Sequence, residues 1–144
     1  MSDSNILFPN ETIFDGDHFE VHQDWEVPIV GFFIISAKRS IRSITEFTPE
    51  ESTEFMKILQ MVRNGQEALG IKDVYLFQNE DTSHNFHFWM FPRHSWMESF
   101  GRKIQSVRPI MNYAVENMST PEGIEEVKKF VEAMKQYLVS AELL

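Results

Sequence analysis

Apolar positions follow two rhythms along the chain, a period of two typical of strands and a period near 3.6 typical of helices. Ile13-Phe14 and Phe19-Glu20-Val21-His22 predict two short strands. They are joined by a turn at Asp15-Gly16-Asp17, where glycine can supply positive φ and aspartate can bond its own backbone. After Pro28, the run Val30-Gly31-Phe32-Phe33-Ile34-Ile35 is nearly all apolar and ends at Lys38-Arg39, as expected of a strand covered on both faces. Thr48-Pro49-Glu50-Glu51 then opens a helix: Thr48 caps, Pro49 suits the first helical position, and Glu51 reaches back to close the capping box. Phe55, Ile58, Leu59, Val62 and Leu69 recur at helical spacing, and Gly70 is suited to end the helix.

Two further strands follow, Val74 to Phe77 and Phe86 to Phe91, separated by the polar loop Gln78 to Ser83. Pro109, Ile110, Met111, Ala114 and Met118 predict a short helix. Thr120-Pro121-Glu122 repeats the cap-then-proline start before Ile124, Val127, Val131, Met134 and Leu138, so the chain ends in a helix. Gly123 weakens the start of that helix by up to about 1 kcal/mol relative to alanine. Met56, Met61, Met111, Met118 and Met134 sit at helical core spacing. The pattern predicts an α+β protein: a mostly antiparallel sheet of about five strands with helices on one side.

A length of 144 residues is one domain's worth, and 42% hydrophobic with 24% charged residues is ordinary globular usage. Residues 1–144 are therefore expected to form a single domain. Asp and Glu number 22 against 13 Lys and Arg, a formal charge of −9, which disfavours duplex nucleic acid as a partner. Local donors can still hold a small phosphorylated ligand, because distant charge is screened over about 8–10 Å. The absence of cysteine removes disulfides, thiolate catalysis and thiolate zinc sites. No apolar run has the length of a membrane span, and Met1-Ser2-Asp3-Ser4-Asn5 lacks a basic signal-peptide start. A soluble, unprocessed, cytoplasmic protein without membrane partners is the expectation.

Three of the five histidines lie in His84-Asn85-Phe86-His87-Phe88-Trp89-Met90-Phe91-Pro92-Arg93-His94. On a strand, Asn85, His87, Trp89 and Phe91 project to one face, and Phe86, Phe88 and Met90 to the other, where helices can cover them. His87 flanked by an amide and an indole N–H has the parts for phosphate chemistry: an imidazole nucleophile or acid/base and two neutral donors. A zinc site from His84, His87 and His94 is disfavoured, since His84 and His87 face opposite ways on a regular strand and no fourth ligand is evident. No metal and no cofactor is expected, and His94 reads as a surface loop residue.

Asn85-Phe86-His87-Phe88-Trp89-Met90-Phe91-Pro92-Arg93 resembles the signature of the histidine-triad (HIT) superfamily, His-φ-His-φ-His-φ-φ, often followed by Pro-Arg. Asn85 and Trp89 replace the outer histidines. The resemblance extends over residues 13–97: Ile13 to Asp17 resembles the family's opening hairpin, His22-Gln23-Asp24 precedes Pro28 and Gly31 at familiar spacing, and Phe33 to Arg39 resembles the strand that ends in Pro-Lys-x-His. Residues 98–144 form a helical C-terminal extension. Phe32 and Ser40 stand where the family commonly has histidines.

This resemblance implies a HIT-like α+β fold, a homodimer, and a nucleotide or dinucleoside polyphosphate as ligand. His87 matches the histidine that attacks the α-phosphate to form a nucleotidyl-histidine intermediate, with Asn85 and Trp89 beside it as orienting groups. Asp24 matches the residue that bonds the ribose hydroxyls, with His22, Gln23 and Trp25 around the nucleoside. Asn79, Thr82 and Ser83 match the loop that donates to phosphates, although Glu80 and Asp81 replace the usual glycines and add negative charge. The implied activity is a nucleotide phosphate hydrolase or nucleotidyl transferase of the dinucleoside polyphosphate or nucleoside phosphoramidate type. The alternative is a degenerate nucleotide-binding or protein-binding module that no longer turns over.

Overall fold

The computed structural model describes residues 6–81 and 84–143; Thr82 and Ser83 of the phosphate-loop expectation lie outside the described residues. Five strands form one sheet: β1 (Thr12–Asp15), β2 (Phe19–Gln23), β3 (Phe33–Ala37), β4 (Val74–Gln78) and β5 (His87–Pro92). Their order is β1-β2-β3-β5-β4 and every neighbouring pair is antiparallel. Three α-helices accompany them: α1 (Pro49–Ala68), α2 (Val107–Asn117) and α3 (Pro121–Leu143).

Helices cover both faces of the sheet, not one. On the first face, Phe55, Ile58 and Val62 of α1 and Val127, Val131, Met134 and Leu138 of α3 pack on Phe19, Val21, Phe33, Ile35, Phe86 and Met90. Phe19, Phe47, Phe55, Phe86 and Phe88 interlock here with ring centroids 5.2–6.2 Å apart, which is where much of the phenylalanine content is used. On the second face, Val107, Ile110, Met111 and Ala114 of α2 and Met97 pack on Phe91, with Val27, Ile29 and Phe32 from the β2–β3 loop. The sequence pattern made α2 amphipathic but could not say which side of the sheet it would meet. Met56, expected in the core, is exposed on the outer side of α1.

The cap of α1 forms as the sequence predicts: Glu51 N–H donates to Thr48 Oγ1 at 3.1 Å and Thr48 N–H donates back to the Glu51 carboxylate at 2.8 Å. Gly70, at φ +106, follows the helix. The strand expected from Val30 begins only at Phe33, because Gly31 turns the chain at φ +79. In the β1–β2 turn, Gly16 does not take positive φ. Glycine is needed there for room, since a Cβ would meet the Glu54 carboxylate and the Phe19 carbonyl. That carboxylate accepts from the backbone N–H of His18 and Phe19 at 3.0 and 3.2 Å, so α1 rather than the turn's own aspartates satisfies these donors. Among the described residues, no helix is long and apolar enough to cross a membrane.

Candidate functional site

Register places His87 directly opposite Ser36, which is opposite Glu20, while Trp89 is opposite Ile34, which is opposite His22. These residues share the second face. The Trp89 row is partly covered: Trp89 packs edge-on against Phe77 at 5.1 Å and Phe32 at 6.1 Å, beside the cluster that α2 closes. Phe91, which sequence alternation places on the same face, is fully buried there. His87 and Trp89 are both half-buried. Phe86 and Met90 are buried in the opposite layer with Phe88 half-buried, as alternation required.

His22 is 1% exposed. Its Nδ1–H donates to the Gln23 carbonyl at 3.0 Å, which leaves Nε2 to accept from the Ser36 hydroxyl at 3.0 Å. The ring lies flat on Trp25, centroids 4.5 Å apart, and Trp25 meets His87 edge-on at 6.3 Å. Burial lowers the pKa of both histidines, and for His87 the neighbouring His22 adds to it. Both are neutral imidazoles at neutral pH, and a neutral imidazole keeps a lone pair for an electrophile.

Asp24 is buried, and its Oδ1 accepts the backbone N–H groups of Glu26 and Val27, both at 3.0 Å. Burial pushes its carboxyl up to about 6 despite those bonds. It is thus a turn residue that also keeps a second carboxylate oxygen. Arg108, at the start of α2, acts on it electrostatically and was not foreseen, because nothing local links positions 24 and 108. Gln23 is fully buried and its amide donates to the Val27 and Ile29 carbonyls, so its side chain braces the loop beneath Trp25.

Asn85 lies two residues before β5, exposed, in an isolated bridge to Ile41. His84 takes a left-handed conformation at φ 65, and its carbonyl accepts from Ser40 Oγ at 3.2 Å, so it belongs to a turn and not to the strand's alternation. Asn79 and Glu80 are exposed at the end of β4. The Glu80 charge is partly offset: its carboxylate faces Arg42 at 3.4 Å and accepts from Ser43 Oγ at 3.0 Å. Lys38 pairs with Asp15 at 2.6 Å and Arg39 with Glu51 at 2.6 Å.

His94 is not a surface loop residue. Its Nε2–H donates to the Val30 carbonyl at 2.7 Å, and Arg93 donates to Ser106 Oγ and the Gly101 carbonyl, so the end of the motif fastens β5 to two loops. Among the described residues, no three His, Asp or Glu side chains come together as a metal site. Ser36 was read only as part of a strand; its place beside both His22 and His87 needed the sheet register to be seen.

No protein-family model matches the sequence, and no curated protein matches it. Solved structures do share its fold. A zinc-bound histidine triad family protein from Mycobacterium smegmatis superposes with TM-score 0.64 over 94% of this chain and 88% of that one, at 13% identity. A hypothetical histidine triad nucleotide-binding protein from Sulfolobus tokodaii gives 0.60 over 92% and 85%, at 12% identity. A HIT-like protein involved in cell-cycle regulation from Bartonella henselae gives 0.59 over 88% and 84%, at 15% identity. The chain has the histidine-triad fold.

Proposed function

We propose that this chain is a nucleotide phosphate hydrolase or nucleotidyl transferase that works through a covalent nucleotidyl-histidine on His87. The observation that carries this reading is His87 itself: a neutral, half-buried imidazole on a partly covered sheet face, next to the 41%-exposed ring of Trp25. A ring lone pair attacks phosphorus, the P–O bond to the leaving group breaks, and water later displaces the nucleotide from the imidazole. Trp25 offers a π face to the base, Asp24 an acceptor to the ribose, and Asn79 and Asn85 amides to the phosphate oxygens.

Neither Asn85 nor Trp89 carries a titrating proton, so the leaving group must depart with little protonation. Phosphoanhydrides, as in dinucleoside polyphosphates, fit this better than phosphoramidates. The same deficit supports a second reading, a module that binds nucleotide without turnover. A homodimer accompanies either reading, because β4 is an edge strand that exposes Leu76.

The test is incubation of wild type and His87→Ala with a panel of dinucleoside polyphosphates and phosphoramidates, followed by intact-mass analysis. A nucleotidyl adduct on wild type that is absent from His87→Ala supports the enzyme. Nucleotide binding without adduct or turnover favours the binding module, and turnover retained by His87→Ala overturns the role of His87.

A further inference from the structure

The loop between β2 and β3, residues 24–32, carries both Asp24 and Trp25 and lies outside either strand. Much of it is nevertheless buried, including Val27, Ile29, Gly31 and Phe32. Buried carbonyls outside regular structure need donors from elsewhere, because leaving one unpaired is costly. Side chains supply them here. Gln23 donates to the Val27 and Ile29 carbonyls, the fully buried Gln66 of α1 to the Gly31 carbonyl at 3.0 Å, and His94, two residues past β5, to the Val30 carbonyl at 2.7 Å. At the Trp25 end, the Trp25 carbonyl accepts from the backbone N–H groups of Leu7 and Phe8 at 2.7 and 3.0 Å.

Three contacts tie this loop to the segment that begins with His87. Trp25 meets the His87 ring edge-on, Phe32 packs on Trp89 and Phe91 with centroids 6.1 and 5.1 Å away, and Val30 is held by His94. Apolar contacts are largely non-directional and tolerate sliding. A hydrogen bond does not, since it weakens steeply once donor and acceptor fall out of line. The ladders on both sides of β5 fix the strand between His87 and His94, so the bond to Val30 refers the loop to the same frame that carries His87.

We infer that His94 is a positioning residue for the nucleoside site: through the Val30 carbonyl, with Gln66 on the adjoining Gly31 carbonyl, it holds the loop that sets Trp25 and Asp24 beside His87. His94 grips the loop five positions beyond Trp25, so its effect reaches a ligand through the loop. The inference rests on the proposed nucleotide site, but the hold on the loop is a property of the free protein.

Two measurements on wild type, His94→Phe, His94→Gln and Gln66→Met test it: amide hydrogen exchange by mass spectrometry in the free protein, and calorimetric titration with adenosine and guanosine 5′-monophosphates. Glutamine keeps an N–H donor at a reach near that of Nε2, whereas phenylalanine keeps the ring and loses the donor. In His94→Phe, exchange over residues 24–32 should quicken about tenfold while the middle of α1 is unchanged, and the monophosphates should bind about tenfold more weakly. His94→Gln should bring both back to within about threefold of wild type. Circular dichroism separates these effects from unfolding, and Gln66→Met, with the same direction expected, serves if His94→Phe fails to fold. Unchanged exchange over residues 24–32 in folded His94→Phe overturns the inference. So does quickened exchange with unchanged affinity, or a glutamine variant no better than the phenylalanine one. Failure of wild type to bind either monophosphate overturns the nucleoside site, and the exchange in the free protein then decides the hold on the loop by itself.

Discussion

The imidazole of His22 and the indole of Trp25 lie face to face, 4.5 Å between centroids and 5° between planes, with His22 buried beneath and Trp25 exposed above. The histidine is clamped at both nitrogens, so the indole rests on a rigid floor. Trp25→Ala should weaken nucleotide binding about 2- to 12-fold, the equivalent of about 0.5–1.5 kcal/mol of ring stacking, while leaving His87 in place. Quenching of tryptophan fluorescence on nucleotide addition, read in wild type and in Trp25→Phe, checks it. An equal affinity in Trp25→Ala would place the base elsewhere.

Asp24 should separate stability from binding. Its folded pKa is raised from 3.8 to about 6, chiefly by burial, so ionising it costs the folded state progressively as pH rises through that window. At pH 7 the cost is fully present, and at pH 3 it is absent. Asp24→Asn keeps an acceptor for the Glu26 and Val27 N–H groups and removes the charge. It should be more stable than wild type at pH 7 by about 1–3 kcal/mol, with the difference closing as pH falls toward 4. Urea denaturation at several pH values measures it. On the proposed site, the same variant should bind nucleotide more weakly.

Restoring a full triad should not be neutral. Asn85→His changes an exposed position outside the strand. Trp89→His removes ring area from between Phe77 and Phe32, and should cost about 2 kcal/mol of stability. Thermal melts of the two single variants distinguish them: a clear drop for Trp89→His and little change for Asn85→His are expected.

Gly123→Ala should destabilise the protein, against helix propensity, which alone would favour alanine by up to about 1 kcal/mol. A Cβ at Gly123 would run into the Met118 backbone carbonyl, where the chain turns from α2 into α3, and backbone gives way less readily than a side chain. A raised melting temperature in this variant would show that the turn can relax.

Sequence alone settled whatever depends on neighbours along the chain. The Thr48–Glu51 capping box is closed within three residues, and the alternation from Phe86 to Met90 separates His87 from the core side without knowledge of any partner strand. Motif resemblance added the histidine-triad fold, which the superpositions bear out. Tertiary structure alone decided what depends on distant segments. Gly16 read as a turn glycine and Gly123 as a weak spot in a helix, but both prove to be places where Glu54 and Met118 come close to where a side chain would stand. His94 read as a loop residue but bonds a carbonyl 64 positions away. Whether α2 would close the cluster beside the Trp89 row, and whether Ser36 would stand beside His87, turned on register and layer order. These are non-local pairings, and neither hydrophobic periodicity nor capping chemistry encodes them one residue at a time.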